Sequence, residues 1–163
     1  MTGVRLSVIL PTIGRTSLGR ALASCKDAFE VLVDHNHDRD RGYAARERMI
    51  ARATGTHLCF LDDDDVYTQN AIGLFTEAAC DVPVIFRMRY HHGGAELWQR
   101  EEVMFGNVGT PMFLVPNDPE RLGHWHPWEG SDSGGDCSFI TGCVEKMGQP
   151  VWRTEIVCVV KPA

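Results

Sequence analysis

Leu58-Cys59-Phe60-Leu61 is an apolar run that leads directly into Asp62-Asp63-Asp64-Asp65. Such a run reads as a short buried strand. Carboxylates at its end cannot enter an apolar interior without partners, and adjacent like charges repel. The stretch therefore needs a counter-charge. A divalent cation that prefers hard oxygens, Mg²⁺ or Mn²⁺, would meet that need, and Mg²⁺ is usually shared between one or two carboxylates and a substrate's phosphates. Two readings are open here: a metal–phosphate site at a strand end, or a solvated acidic turn leading into a helix that begins near Thr68.

A chain of 163 residues suits one domain with a sizeable core, so 1–163 is read as a single unit. No run of about 18 apolar residues is present, and no membrane span is expected. Met1–Val8 has no basic region followed by an apolar core, so no secretory signal is expected either. The six cysteines form no C-x-x-C pair and several lie in apolar stretches, which predicts reduced, mostly buried thiols in a cytoplasmic protein. The spacing of Cys137 and Cys143 is wrong for the usual zinc knuckles. His35 with His37, and His91 with His92, read as polar loop surface. Sixteen basic residues against twenty-two acidic ones, without a Lys/Arg cluster, argue against whole-surface nucleic-acid binding and leave only a local groove for it.

The chain alternates. Val4–Leu10 reads as a strand ended by Pro11-Thr12. A helix follows from about Ser17, with Leu18, Ala21, Leu22 and Cys25 on one side. Glu30–Val33 is a second strand ending at Asp34, and a helix runs from about Gly42 to Thr54 with Gly55 as its stop. Thr56–Leu61 then delivers the acids. This order predicts an α/β fold with a mixed, mostly parallel sheet flanked by helices. Ligands of such sheets sit outside the carboxyl ends of the strands, where Thr12, Asp34 and Asp62–Asp65 all fall. Further on, a helix over Thr68–Cys80, a strand over Val84–Tyr90 with a hairpin partner in Ala95–Gln99, a strand over Met112–Val115, a helix carrying Phe139, Ile140, Cys143, Val144 and Met147, and a strand over Val151–Val160 are expected.

Several side chains on this scaffold invite chemistry. Arg46 shares the inward stripe of Met49, Ile50 and Ala53, so it either snorkels outward or reaches an anion: Asp34, the acidic cluster or a bound nucleotide. Asp136 sits one turn before Phe139 and Ile140 on the same face. It is either a first-turn acid favoured by the helix dipole or a rigidly held general base. Trp125 and Trp128 could stack on a sugar or base, or serve as lid or core residues. The small residues of Gly106–Pro111 form either a close-approach loop or a plain turn.

Taken together, these motifs resemble the family-2 inverting glycosyltransferases of the GT-A (nucleotide-diphospho-sugar transferase) fold, in a short, minimal version. The likeness covers nearly the whole chain and is sharpest over residues 6–67. Leu6–Thr12 with Arg15 resembles the family's opening strand and P-T-x-x-R turn. Val31-Leu32-Val33-Asp34 resembles the strand whose last Asp contacts the nucleobase, although His35 stands where a second Asp is usual. Ala45-Arg46-Glu47 resembles A-R-N. Phe60–Asp65 is similar to the D-x-D segment, which implies Asp62 toward the ribose and Asp64, with Asp62 as a possible second ligand, toward the metal. Gly135-Asp136 occupies the place of an E-D pair whose Asp is the base, with Asp132 as the alternate.

The resemblance implies an enzyme that transfers a sugar from a nucleoside-diphosphate donor, a UDP- or GDP-sugar, to an acceptor hydroxyl with inversion. Mn²⁺ or Mg²⁺ would be the cofactor. Pro11, Thr12, Arg15, Asp34, Arg46, Asp62, Asp63 and Trp128 would bind the donor, residues 1–67 forming the nucleotide half and 68–163 the acceptor half. The acceptor is left open among a glycan, a lipid-linked intermediate, a small molecule and a modified nucleobase, and the oligomeric state is unspecified. Two rival readings fit part of the sequence. Asp62-x-Asp64-x-Val66 also fits a haloacid-dehalogenase-type phosphotransferase, in which the first Asp is a nucleophile. That motif belongs on a first strand, and only Lys146 and Lys161 follow it here. The other rival is a catalytically inactive nucleotide-sugar binding module, suggested by Gly135.

Overall fold

A computed structural model describes residues 3–163. β1 (Leu6–Thr12) is buried along its whole length, as expected of a parallel strand covered on both faces. It runs two residues past its expected end, with Pro11 in register with Asp34 and Thr12 with His35 of β2 (Glu30–His35). Proline is tolerated here for a local reason. Ile9 O accepts from Leu61 N at 3.1 Å on the other side, and Pro11 turns to that same side just where β3 (His57–Phe60) leaves the ladder.

Between these strands lie α1 (Leu18–Ser24), which buries Ala21, and α2 (Tyr43–Ile50), which buries Ala45, Arg46 and Met49. α2 starts from Gly42 in the left-handed region (φ 85°), where a Cβ would stand 2.8 Å from the Arg46 guanidinium. It stops before the expected Thr54. The backbone N–H groups of Thr54 and Gly55 donate instead to Glu30 Oε1, which ties the chain to the start of β2.

The rest of the chain comprises β4 (Val66–Tyr67), α3 (Ala71–Ala78), β5 (Val84–Tyr90), β6 (Glu96–Leu97), a 3-10 turn at Thr110–Met112, β7 (Phe113–Pro116), α4 (Gly135–Met147) and β8 (Val151–Val160). The eight strands form one sheet in the order β2-β1-β3-β7-β5-β8-β4, with β6 beside β5. β1 pairs in parallel with β2 and β3. β7 enters antiparallel to both β3 and β5, which turns β5 back to the direction of β3, and β8 lies parallel to β5. Five strands therefore run the same way and three oppose them. Thr12, His35, Phe60, Tyr90 and Val160 all end on one rim.

The core is built from Phe60, Phe75, Phe86, Phe113 and Phe139 with the aliphatic residues of β1, β3, β5 and β7, each fully buried. Each such side chain contributes about 1.5–3 kcal/mol relative to exposure. Phe139, Ile140, Cys143 and Met147 form the inner face of α4 as the spacing predicts. The six cysteines are free, and all but the half-buried Cys80 are buried. Burial pushes the Cys137 thiol up to about 11 and that of Cys143 to about 12. Among the described residues, no helix is long and apolar enough to cross a membrane.

Candidate functional site

The four acids after β3 do not act alike. Asp65 N donates to Asp62 O at 3.1 Å, closing a turn in which Asp63 and Asp65 point inward and Asp62 and Asp64 stay partly exposed. Asp63 is 2% exposed. Its Oδ2 accepts from Thr12 Oγ1 at 2.6 Å and Ile13 N at 3.1 Å, while Arg15 reaches its Oδ1. Burial works against the Asp63 charge, but the Thr12, Arg15 and Ile13 donors outweigh it and hold the carboxyl below its usual range. Asp65 Oδ1 accepts from Lys161 N at 3.0 Å. Burial, reinforced by the Asp62 charge, pushes its carboxyl up to about 7.

Arg46 reaches the acids rather than snorkelling away. It is 4% exposed, donates to Asp62 Oδ1 and to Arg41 O (2.9 Å), and lies over the Trp125 ring at 4.5 Å. Trp125 in turn stacks on Phe139 (4.8 Å) beside Phe60, and its backbone N–H donates to Glu47 Oε1 at 2.8 Å. Trp125 is thus the floor beneath Arg46, a role that its position in an irregular segment did not reveal.

A cavity of about 340 Å³ opens at the rim and brings together Pro11, Thr12, Arg15, Arg46, Asp62, Asp63 and Asp64. Ile13, Asn36, Arg41, Gly42 and Lys161 complete it, and sequence reasoning named none of these five as site residues. Lys161 could be found only from the direction of β8, which brings its end to this rim. Asp136, half-buried at the start of α4, is not among the residues that line the cavity, although the charges of Asp62 and Arg46 act on it. Burial, opposed by the Cys137 N–H bond and reinforced by the Asp62 charge, raises its carboxyl above the usual range. Tyr90, from the end of β5, has its hydroxyl pushed up by burial and then by the charges of Asp136 and Asp65.

Two expected donor contacts fall elsewhere. Asp34 does not line the cavity. Arg48 Nε donates to it at 2.9 Å, and that bond above all holds the Asp34 carboxyl below its usual range. Arg46 and Arg48 lie about 200° apart around the helix, so one serves the acidic turn and the other serves β2. Trp128 lines a separate hollow on the outer face of α4. Asp132 is exposed and lines neither. Thr12 and Asp63 border the cavity with their polar atoms already bonded to each other, so they shape it rather than offer free groups.

The residues present suit a hard divalent cation. Asp62 and Asp64 offer oxygen donors to the cavity, and Mg²⁺ commonly takes one or two carboxylates with phosphate oxygens and waters. A self-sufficient cage is absent: no group of three or more His, Cys, Asp or Glu at ligand spacing occurs among the described residues.

The family model described as glycosyl transferase family 2 matches residues 20–141. The chain belongs to glycosyl transferase family 2. No curated protein matches it by sequence. Among solved structures, TarS 1-349 of S. aureus superposes with a TM-score of 0.69 at 14% identity, over 96% of this chain and 60% of that one. The mannosyltransferase PcManGT from Pyrobaculum calidifontis, in complex with GDP-Man and Mn²⁺, gives 0.67 at 12% identity over 99% and 58%. A197 from STIV gives 0.56 at 13% identity over 92% and 82%. These likenesses establish the GT-A fold for this family-2 chain, which spans about 60% of TarS 1-349. Asp62 follows the third strand, not the first, in line with that fold and not with the dehalogenase arrangement.

Proposed function

We propose that this family-2 chain transfers a sugar from a nucleoside-diphosphate donor to an acceptor hydroxyl with inversion, as a single unit whose first 67 residues bind the nucleotide. The observation that carries the reading is the rim cavity. Asp62 and Asp64 face a space that is also bordered by Arg15, Arg41, Arg46 and Lys161. Acids alone would repel a pyrophosphate, and cations alone would need no acids. The mixture suits a phosphate chain that arrives with a divalent ion. Support for the donor class comes from relatives of the same fold solved with UDP-GlcNAc and with GDP-Man and Mn²⁺.

In this reading Asp64, with Asp62, would hold Mn²⁺ or Mg²⁺, and the ion would supply Lewis-acid stabilisation of the leaving nucleoside diphosphate. Arg15 and Lys161 balance the remaining phosphate charge. Arg46 fixes Asp62 from below, so that the carboxylate keeps its orientation whether or not a donor is present. Asp136 accepts the proton of the acceptor hydroxyl as that oxygen attacks the anomeric carbon from the side opposite the leaving group. Its raised pKa makes it a better base than an ordinary carboxylate. Asp132, exposed where Asp136 is half-buried, is the weaker candidate. The free cysteines, five of them buried, fit a reducing compartment such as the cytoplasm.

A panel of UDP- and GDP-sugars screened by thermal shift with and without Mn²⁺ tests the proposal. A true donor at a hundred times its dissociation constant adds about 2.7 kcal/mol of stability. Stabilisation by at least one nucleotide sugar, enhanced by Mn²⁺ and followed by slow donor hydrolysis, is expected. No response to any nucleotide sugar would overturn it, and binding without hydrolysis would reduce the chain to a binding module.

A further inference from the structure

The outer face of α4 carries a second hollow, of about 420 Å³, that the donor reading leaves unused. Ser138, Thr141 and Glu145 line it from the helix, spaced so that they share one side. His124, His126 and Trp128 close it from the segment that precedes α4. That segment packs very tightly on the helix: a Cβ on Gly123 would lie 2.0 Å from Phe139 O, and one on Gly142 would lie 2.8 Å from the Gly123 Cα. The two walls are therefore fixed relative to each other. Trp128 is held as well, its N–H donating to Ser133 O at 2.8 Å and its carbonyl accepting from Ser131 N at 2.9 Å.

Ser138 supplies an independent observation. It is 6% exposed, it lines the hollow, and its hydroxyl has no partner within the protein. A buried hydroxyl is normally bonded, so an orphan at a cavity wall marks a place for a ligand's polar group. The charges narrow the ligand. Glu129 and Glu145 stand at the hollow against one ammonium, that of Lys146, which donates to Leu122 O at 2.7 Å. An anion would meet two carboxylates for that one ammonium. A neutral polyol would find hydroxyl, carboxylate and imidazole partners, with an indole for its C–H face.

We propose that this hollow binds a neutral carbohydrate chain, the distal part of the acceptor whose terminal hydroxyl reaches Asp136. The inference rests on the transferase reading for its purpose and adds the acceptor class. The start of α4 serves both ends: Asp136 faces Asp62 and Arg46, and Ser138, two residues on, lies on the other side of the helix. The packing of Trp128 against Gly134, where a Cβ would come within 2.7 Å of the Trp128 Cβ, joins the hollow to that helix start.

The test uses the whole chain without nucleotide. It is titrated with neutral hexasaccharides of β1,4-linked glucose, α1,4-linked glucose and β1,4-linked N-acetylglucosamine while the indole N–H resonances are followed, and the affinities of the chain and its variants are measured by calorimetry. At least one saccharide should shift the Trp128 resonance and saturate. Trp128→Ala and Glu145→Ala should each weaken that saccharide by about tenfold. Glu145 is exposed, so its variant keeps the fold even if loss of the tryptophan does not. No shift with any of the three, or undiminished affinity in Glu145→Ala and in a folded Trp128→Ala, would overturn the proposal. Nucleotide-sugar titrations in parallel separate the two readings: saccharide binding without nucleotide-sugar binding defeats the donor assignment and leaves this site standing.

Discussion

Thr12 donates to Asp63 at 2.6 Å, fastening the end of β1 to the turn that follows β3. The same carboxylate takes Ile13 N and the Arg15 guanidinium, so three donors depend on one buried acid. Asp63→Ala would leave them unsatisfied and should cost about 2–4 kcal/mol of stability, measured by denaturant unfolding. A variant as stable as the wild type would show that Asp63 is not the fastener described here.

Asp64 is placed differently. It is partly exposed to the cavity, with only Arg15 nearby at 3.5 Å. Asp64→Asn should change unfolding stability by less than about 0.5 kcal/mol, as for a surface position. It should also remove the effect of Mn²⁺ on donor binding, followed by thermal shift. Retained Mn²⁺ dependence would move the metal role to Asp62.

If Asp136 is the base of the proposed transfer, it should set the pH behaviour of that reaction. Its folded pKa lies above the ordinary 3.8, so the base stays protonated to a higher pH than a free carboxylate would. Activity should therefore rise with pH along an acid limb whose midpoint lies above that ordinary value, read from kcat against pH. The same shift means that the folded chain holds this proton more tightly than the unfolded one. The resulting stabilisation is full at low pH and is lost as pH rises through the folded pKa. In Asp136→Asn the limb should vanish and turnover should fall by about 10²-fold or more with donor affinity kept. Equal loss of binding and turnover would show a donor-binding role instead.

The resemblance to the family's E-D pair would put a Glu at Gly135, and the structure leaves no room for its side chain. A Cβ there would meet the Tyr43 ring at 2.3 Å, and Gly135 N faces the Tyr43 hydroxyl at 3.3 Å. Gly135→Glu should lose about 1–3 kcal/mol through overpacking. The double variant with Tyr43→Ala should lose less than the two single losses added together, a coupling that a double-mutant cycle measures. Simple additivity would mean that the ring does not exclude the side chain.

The apolar run and its acids, the alternation of strands and helices, and the meeting of loops at one rim were all legible because each rests on local periodicity. The division of labour among the four acids was harder. A turn that alternates inward and outward positions is visible only once its backbone is known, and Asp63 accordingly read as a ligand contact. Arg46 and Arg48 both had an anion within reach along the chain, and only the helix phase assigned Asp62 to one and Asp34 to the other. Lys161 and Tyr90 lay beyond sequence reasoning for a topological reason: β7 runs against its neighbours and thereby sets the direction in which β5 and β8 end.

That reversed strand also fixes what happens at the opposite edge of the sheet. Arg5, Thr56, Pro83, Asn117 and Val151 gather there, tied by backbone bonds such as Val151 N to Pro83 O and Asn117 N to Thr56 O. The exposed Gly148-Gln149 turn before β8 belongs to this far side. A surface anchor or fluorescent label attached at Gln149 would stand a full strand's length from the donor cavity, leaving that mouth open to solution.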